Sequence, residues 1–256
     1  MNVSEHLNKI FILSAIAIII MSGAALCKEN GSAAAGYRAV IFSGHIKDVP
    51  GKKPSGATSF GKRPEVYFND TIAIRFETVH TGEIEFIVFR SSDNIPLKLR
   101  PVIAERVKAG ACVEIHHDSA QKEDILKKRW KDMEGFSLFF YSGNESGTLS
   151  LELARAIGDE MIKSGFKPNH YHAKKIRGEN MTEIDSARAI YDRDLFITLH
   201  AKVPTVLIEC GCIESPDEEK MLLDPETSRK ISGAIADGIE SYFKSAAVNE
   251  KKKDHE

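Results

Sequence analysis

Cysteine is scarce: four residues in 256 are too few for the disulfide scaffold of a small secreted domain. Their spacing also excludes a structural zinc finger. The one close pair, Cys210 and Cys212, reads as two small buried hydrophobes on one strand, with a metal-binding pair as the alternative. Net charge is equally slight, −2 at pH 7 with both signs interspersed, so no broad field draws the chain to nucleic acid. The basic run Lys251–Lys253 is closed by Asp254 and Glu256 and reads as part of a solvated charged tail over 245–256. No internal repeat and no second domain is visible, and a monomer is expected.

What is present suits one globular domain with a short appendage, since 42% of residues are hydrophobic and 28% charged. Lys9 precedes an uncharged run from Ile10 to Leu26, in which the small residues Ser22, Gly23, Ala24 and Ala25 lie near the end. A basic start, a short apolar stretch and a small-residue boundary form the pattern of a secretory signal peptide. The run is slightly short of the roughly 20 residues of a membrane-spanning helix. An uncleaved anchor is therefore the first alternative, and lipidation at Cys27, against which Leu26 stands, is the second. Each implies export to the periplasm or cell envelope, with membrane attachment through the N-terminus in the latter two. The expected layout is a signal peptide or anchor over 1–27, a linker over 28–36, a catalytic domain over 37–244 and the tail.

Within the domain, strands and helices alternate. Tyr37–Ser43 is apolar and β-rich and breaks at Gly44 and His45. A Gly-, Lys-, Pro- and Ser-rich loop from Ile46 to Arg63 follows, long enough to suggest function. Pro64 suits the first turn of a helix reaching about His80. Further strands are expected at Glu83–Arg90, Ala111–His116, Phe136–Tyr141 and Thr205–Ile208. Helices are expected at Leu97–Lys108, at Glu123–Met133, over the ladder Leu149, Leu153, Ile157 and Met161 closed by Gly165, and after Asp224 and Pro225 with Ile231, Ile235, Ile239 and Tyr242 buried. This order implies an α/β fold: a single twisted, mainly parallel or mixed sheet with helices on both faces. Chemistry in such folds gathers at the carboxyl ends of strands.

Three candidates fall there: His45, His116 and Glu209. Glu65 opens the helix after the first strand. A hydrolytic zinc site takes three nitrogen or oxygen ligands and keeps one position for water, and His45, Glu65 and His116 supply such a set. Glu209, an acid following an apolar strand, can then accept the proton of the attacking water. Adjacent histidines on a strand point apart, so His117 is expected to face away from a metal held by His116. Arg90 with Asp93, and Arg100, read as structural ion pairs. His170, His172 and His200 are later-loop histidines within conceivable reach of a substrate.

The segments Ile41-Phe42-Ser43-Gly44-His45, Glu65 with Asn69, Phe89-Arg90-Ser91-Ser92-Asp93, Glu114-Ile115-His116-His117-Asp118 and Pro204 to Gly211 together resemble one family. It is the zinc-dependent N-acetylmuramoyl-L-alanine amidases of bacterial cell walls, and the resemblance spans about Tyr37 to Phe243. It implies zinc ligation by His45, Glu65 and His116, and catalysis by Glu209 within a Pro-x-x-Leu-x-Glu-x-Gly segment. The implied reaction is hydrolysis of the amide between N-acetylmuramic acid and L-alanine in peptidoglycan. Departures are Ser-Gly-His in place of the commoner Ala-Gly-His-Gly, and Cys212 where a bulky aromatic is usual. A zinc peptidase of the same fold cutting within the stem peptide, and a non-catalytic envelope binding protein, are the alternatives. Some family members carry a long helical plug over the site, for which Ser119–Gly135 is too short.

Overall fold

Seven strands form one mixed sheet in a computed structural model of the chain, which describes residues 37–46, 56–78, 84–174 and 181–253. The strands are β1 (Arg38–Ser43), β2 (Glu85–Phe89), β3 (Ala111–Asp118), β4 (Ser137–Phe140), β5 (Met181–Asp185), β6 (Ile190–Arg193) and β7 (Thr205–Cys212), in the order β2-β1-β3-β7-β4-β6-β5. Neighbours run parallel except β4 with β7 and β5 with β6. The helices are α1 (Glu65–Ala73), α2 (Arg100–Arg106), α3 (Lys122–Leu126), α4 (Gly147–Lys163), α5 (Phe196–Leu199), α6 (Pro216–Leu222) and α7 (Pro225–Lys253). The expected signal peptide or anchor and linker, and residues 47–55 of the long loop, lie outside the described residues. Among the described residues no helix is long and apolar enough to cross a membrane.

The period-two geometry of a strand splits β1 between two cores. Ala39 and Ile41 join one cluster with Phe68 and Ile72 of α1, Leu153 and Ile157 of α4 and Ile235 of α7. Val40 and Phe42 join another with Ile103 of α2 and Ile197 of α5. Both faces of the sheet are therefore covered, as parallel strands with apolar residues on both sides require. The α4 ladder is buried at Leu153, Ile157 and Met161, each worth about 1.5–3 kcal/mol of transfer free energy. Gly238 lets α7 approach closely, because a Cβ there would lie 2.5 Å from the Ile157 Cα.

Several elements differ from expectation for local reasons. Pro64 precedes α1 in an extended conformation, and the helix tightens into a 3-10 turn at Ile74–Glu77. The helix expected at Leu97 begins as a 3-10 turn, Leu97–Leu99, with α2 following. The charged helix after β3 stops at Leu126, where Lys128 turns to φ +54°. Leu149 is 43% exposed, so the buried stripe of α4 begins later. β3 runs on to Asp118 and β7 to Cys212, because each pairs with the other as far as that point. His116 and Glu209 consequently sit inside strands, not at their ends. α7 continues as helix through the expected tail to Lys253.

Candidate active site

Three chain segments converge where β1 and β3 meet α1. Gly44 donates its N–H to the Ile115 carbonyl at 2.8 Å and passes directly under His116, where a Cβ would lie 2.5 Å from the ring. The next residue, His45, has φ +66°, a left-handed conformation uncommon outside glycine and found at constrained functional positions. Glu65 is the buried first residue of α1. His45 Nε2 lies 3.0 Å from Glu65 Oε2, and His116 Nδ1 lies 3.0 Å from Glu65 Oε1. One ligand atom from each of the three falls within 4.8 Å of the others. Burial opposes ionisation of Glu65, but hydrogen bonds and charge from His116 and His45 outweigh it and hold the carboxyl well below the usual range.

The donor set fits a metal of borderline softness, two imidazole nitrogens and a carboxylate oxygen. The surroundings fit too. Gly56, at φ +99°, lies over the group, and a Cβ on it would come within 2.6 Å of Glu65 Oε2 and 2.7 Å of His45 Nε2. Glycine at this position leaves the space between Glu65 and His45 open.

His117 points the other way, as expected. Its Nδ1 lies 2.7 Å from Asn69 Oδ1, an acceptor, so Nδ1 carries the proton. Burial pushes the ring down to about 3, so it stays neutral. Asn69 in turn donates to the Gly44 carbonyl at 3.2 Å and to Glu65 Oε1 at 3.3 Å. His117 thus buttresses the His45–Glu65–His116 group from behind.

Glu209 stands beside His116 on the neighbouring strand, the two being register partners. Its Oε2 is shut off from solvent and has no hydrogen-bond partner among the described residues. Burial, then the negative charge of Asp118, push its carboxyl up to about 8. Both residues line a cleft of about 440 Å³ that also includes Gly56, Ser119, Tyr171 and His172.

Of the later histidines, His172 reaches this cleft. Its Nε2 lies 2.5 Å from Asp118 Oδ2, and the ring packs among Phe139, Tyr171 and Tyr191. His170, 3.8 Å from Glu183, and His200, packed on Phe196, do not line it. Asp118, held by the Ser119 N–H at 2.9 Å, was not singled out from the sequence. Its signal was its place two residues beyond His116, on the same strand. Arg90 pairs with Glu77 through its guanidinium and meets Asp93 through its backbone N–H. Arg100 pairs with buried Glu114. Cys210 and Cys212 are buried in separate clusters, and among the described residues neither joins a metal-holding group.

The sequence model of the N-acetylmuramoyl-L-alanine amidases matches residues 39–241, a range containing every residue of the site. No curated protein sequence matches the chain. Solved structures do. The N-acetylmuramyl-L-alanine amidase Ami1 from Mycobacterium smegmatis is 22% identical with a TM-score of 0.66, covering 84% of this chain and 100% of its own. The catalytic domain of CwlV, an amidase from Bacillus (Paenibacillus) polymyxa, is 23% identical with a TM-score of 0.61, covering 81% and 98%. An amidase from Clostridium difficile 630 is 20% identical with a TM-score of 0.62, covering 83% and 99%. At such identities the likenesses establish the shared α/β fold. Taken with the family match over most of the chain, they lead to one conclusion: this chain belongs to the N-acetylmuramoyl-L-alanine amidase family.

Proposed function

We propose that the chain hydrolyses the amide between the lactyl group of N-acetylmuramic acid and the L-alanine of the peptidoglycan stem, with zinc held by His45 Nε2, Glu65 and His116 Nδ1. Bound there, zinc supplies Lewis acidity to the scissile carbonyl and to water. Glu209 accepts the proton of the attacking water and delivers it to the alanine nitrogen, which leaves poorly unless protonated. His117 and Asn69 hold Glu65 in place. The observation that carries this reading is the Oε2 of Glu209 in the cleft beside His116, which has no partner among the described residues. A carboxylate oxygen buried without a partner is destabilising, and a proton passed through it is the chemistry that gives it a purpose.

Mass spectrometry of a digest of purified muropeptides tests the bond assignment. Release of intact stem peptide with a free alanine amine is expected, whereas cleavage between amino acids would replace this reading with a stem peptidase. A metal-replete chain with no turnover on any muropeptide would mark a binding protein. The substrate places the enzyme outside the cytoplasm, and we assign residues 1–27 to export. N-terminal sequencing of envelope material should find the mature chain starting between Ala25 and Lys28; a start at Met1 with membrane retention would indicate an anchor, and a diacylated Cys27 a lipoprotein.

A further inference from the structure

Behind the histidines lies a second pair of charges that the reaction does not use directly. Arg100, 3% exposed, and Glu114, 2% exposed, form an ion pair between α2 and β3. Taking two such groups out of water is expensive even after the surroundings relax. Two apolar side chains of similar volume would fill the space without that expense. The position of the pair suggests what the charges are for.

Glu114 Oε1 lies 3.7 Å from His116 Nε2, on the far side of the ring from Glu65. The second arm of the same guanidinium donates from Nη2 to the His45 backbone carbonyl at 2.6 Å. Arg100 also donates from Nε to the Ile95 carbonyl at 3.4 Å and rests over the Phe42 ring at 5.6 Å, so it has little freedom to move. One guanidinium therefore reaches His45 directly and His116 through Glu114.

We propose that Arg100 and Glu114 are positioning residues for the metal centre, Glu114 setting the tautomer and ring angle of His116 while Arg100 fixes the backbone of His45. This rests on the metal-centre reading given above. With Nδ1 turned toward the centre, a neutral ligating ring must carry its proton on Nε2, and a carboxylate behind Nε2 selects that tautomer and strengthens Nδ1 as a donor. Arg100 holds the Glu114 carboxylate in place behind the ring through their buried ion pair. It also ties down a residue whose left-handed backbone carries strain. Lysine at this position could reach one of the two acceptors but lacks the planar fork that reaches both.

The test is the zinc dissociation constant, measured on the full mature chain by competition with a chromogenic chelator, alongside the Tm of the metal-free protein. Glu114→Gln and Arg100→Lys should each bind zinc about 10- to 100-fold more weakly. The paired replacement Arg100→Met with Glu114→Leu separates packing from positioning. It should keep or raise the metal-free Tm, because a buried ion pair is often no more stabilising than an apolar pair, and still bind zinc weakly. Folded variants binding within about twofold of the wild type would overturn the proposal, since changes in a positioning partner typically exceed that. If the paired variant fails to fold, Glu114→Gln, nearly isosteric, decides on the same criterion. A wild-type chain that binds no zinc would defeat the metal-centre reading itself, an outcome distinct from equal binding by wild type and variants.

Discussion

His116 and Glu209 are matched partners in the parallel register of β3 and β7. Adjacent strands lie about 4.8 Å apart, and partners in register project to the same side. A proposed metal ligand and a proposed proton carrier are therefore fixed to one another by the backbone hydrogen bonds of two buried strands, with no loop between them.

The metal assignment is checked by elemental analysis of the purified chain, which should hold about one zinc and lose it with activity to a chelator. His45→Ala and His116→Ala should each lower occupancy. His117→Ala should retain the metal, because that ring faces Asn69. Loss of zinc in the His117 variant with retention in the His116 variant would reverse the assignment.

Glu209→Gln should keep zinc and lose roughly 10²-fold or more of turnover, the range for a general base. Stability gives a second readout. In the metal-free protein the Glu209 carboxyl is pushed up to about 8, against about 4.3 in an unfolded chain. Its raised value favours folding below pH ~4.3, and this contribution is lost as pH rises through about 8. The Tm of the metal-free wild type should thus fall relative to Glu209→Gln between pH 5 and 9. Parallel Tm profiles for the two proteins would show that the carboxyl ionises normally.

Gly56→Ala adds one carbon within 2.7 Å of Glu65 Oε2 and His45 Nε2, two proposed ligand atoms, at a backbone φ of +99°. Strain of about 1 kcal/mol or more is expected at a left-handed position. Zinc affinity should drop much further than stability does, as titration and thermal melts on the same sample would reveal. Normal zinc affinity would show that the loop gives way.

The segment between β3 and β4 contains α3, five residues long, and a 3-10 turn at Trp130–Asp132, with no helix long enough to plug the cleft. The isolated domain should digest purified sacculi without an activator. Negligible release of stem peptide until an envelope protein is added would contradict this.

Much of this was legible in advance because the residues concerned sit in strongly patterned segments. The apolar runs of β1, β3 and β7 announce buried strands, and His45, His116 and Glu209 stand out against them by chemistry. β5 and β6 were not visible, and the reason is physical. β5 is a sheet-edge strand whose Thr182, Glu183 and Ile184 are exposed, so its sequence carries no apolar alternation to read. The antiparallel placement of β4 against β7 left no local signal either, since direction is set by tertiary pairing. α6 is not among the helices expected from the sequence, although Ser215 caps it and Pro216 opens it, signals of the kind that mark α7. Arg100 was legible as one half of an ion pair, but its reach to His45 depends on a contact 55 residues away, which no spacing encodes.

Gly56, over the proposed metal group, has a bearing on how inactive relatives are to be recognised. If the proposed centre stands, a duplicated copy of this protein that kept both histidines and both glutamates would still be a pseudoenzyme wherever a single methyl at position 56 filled the space between Glu65 and His45. An inventory of reacting side chains would count such a copy as active. The emptiness above them is as much a part of the inherited catalyst as the side chains, and it is written in a residue that has none.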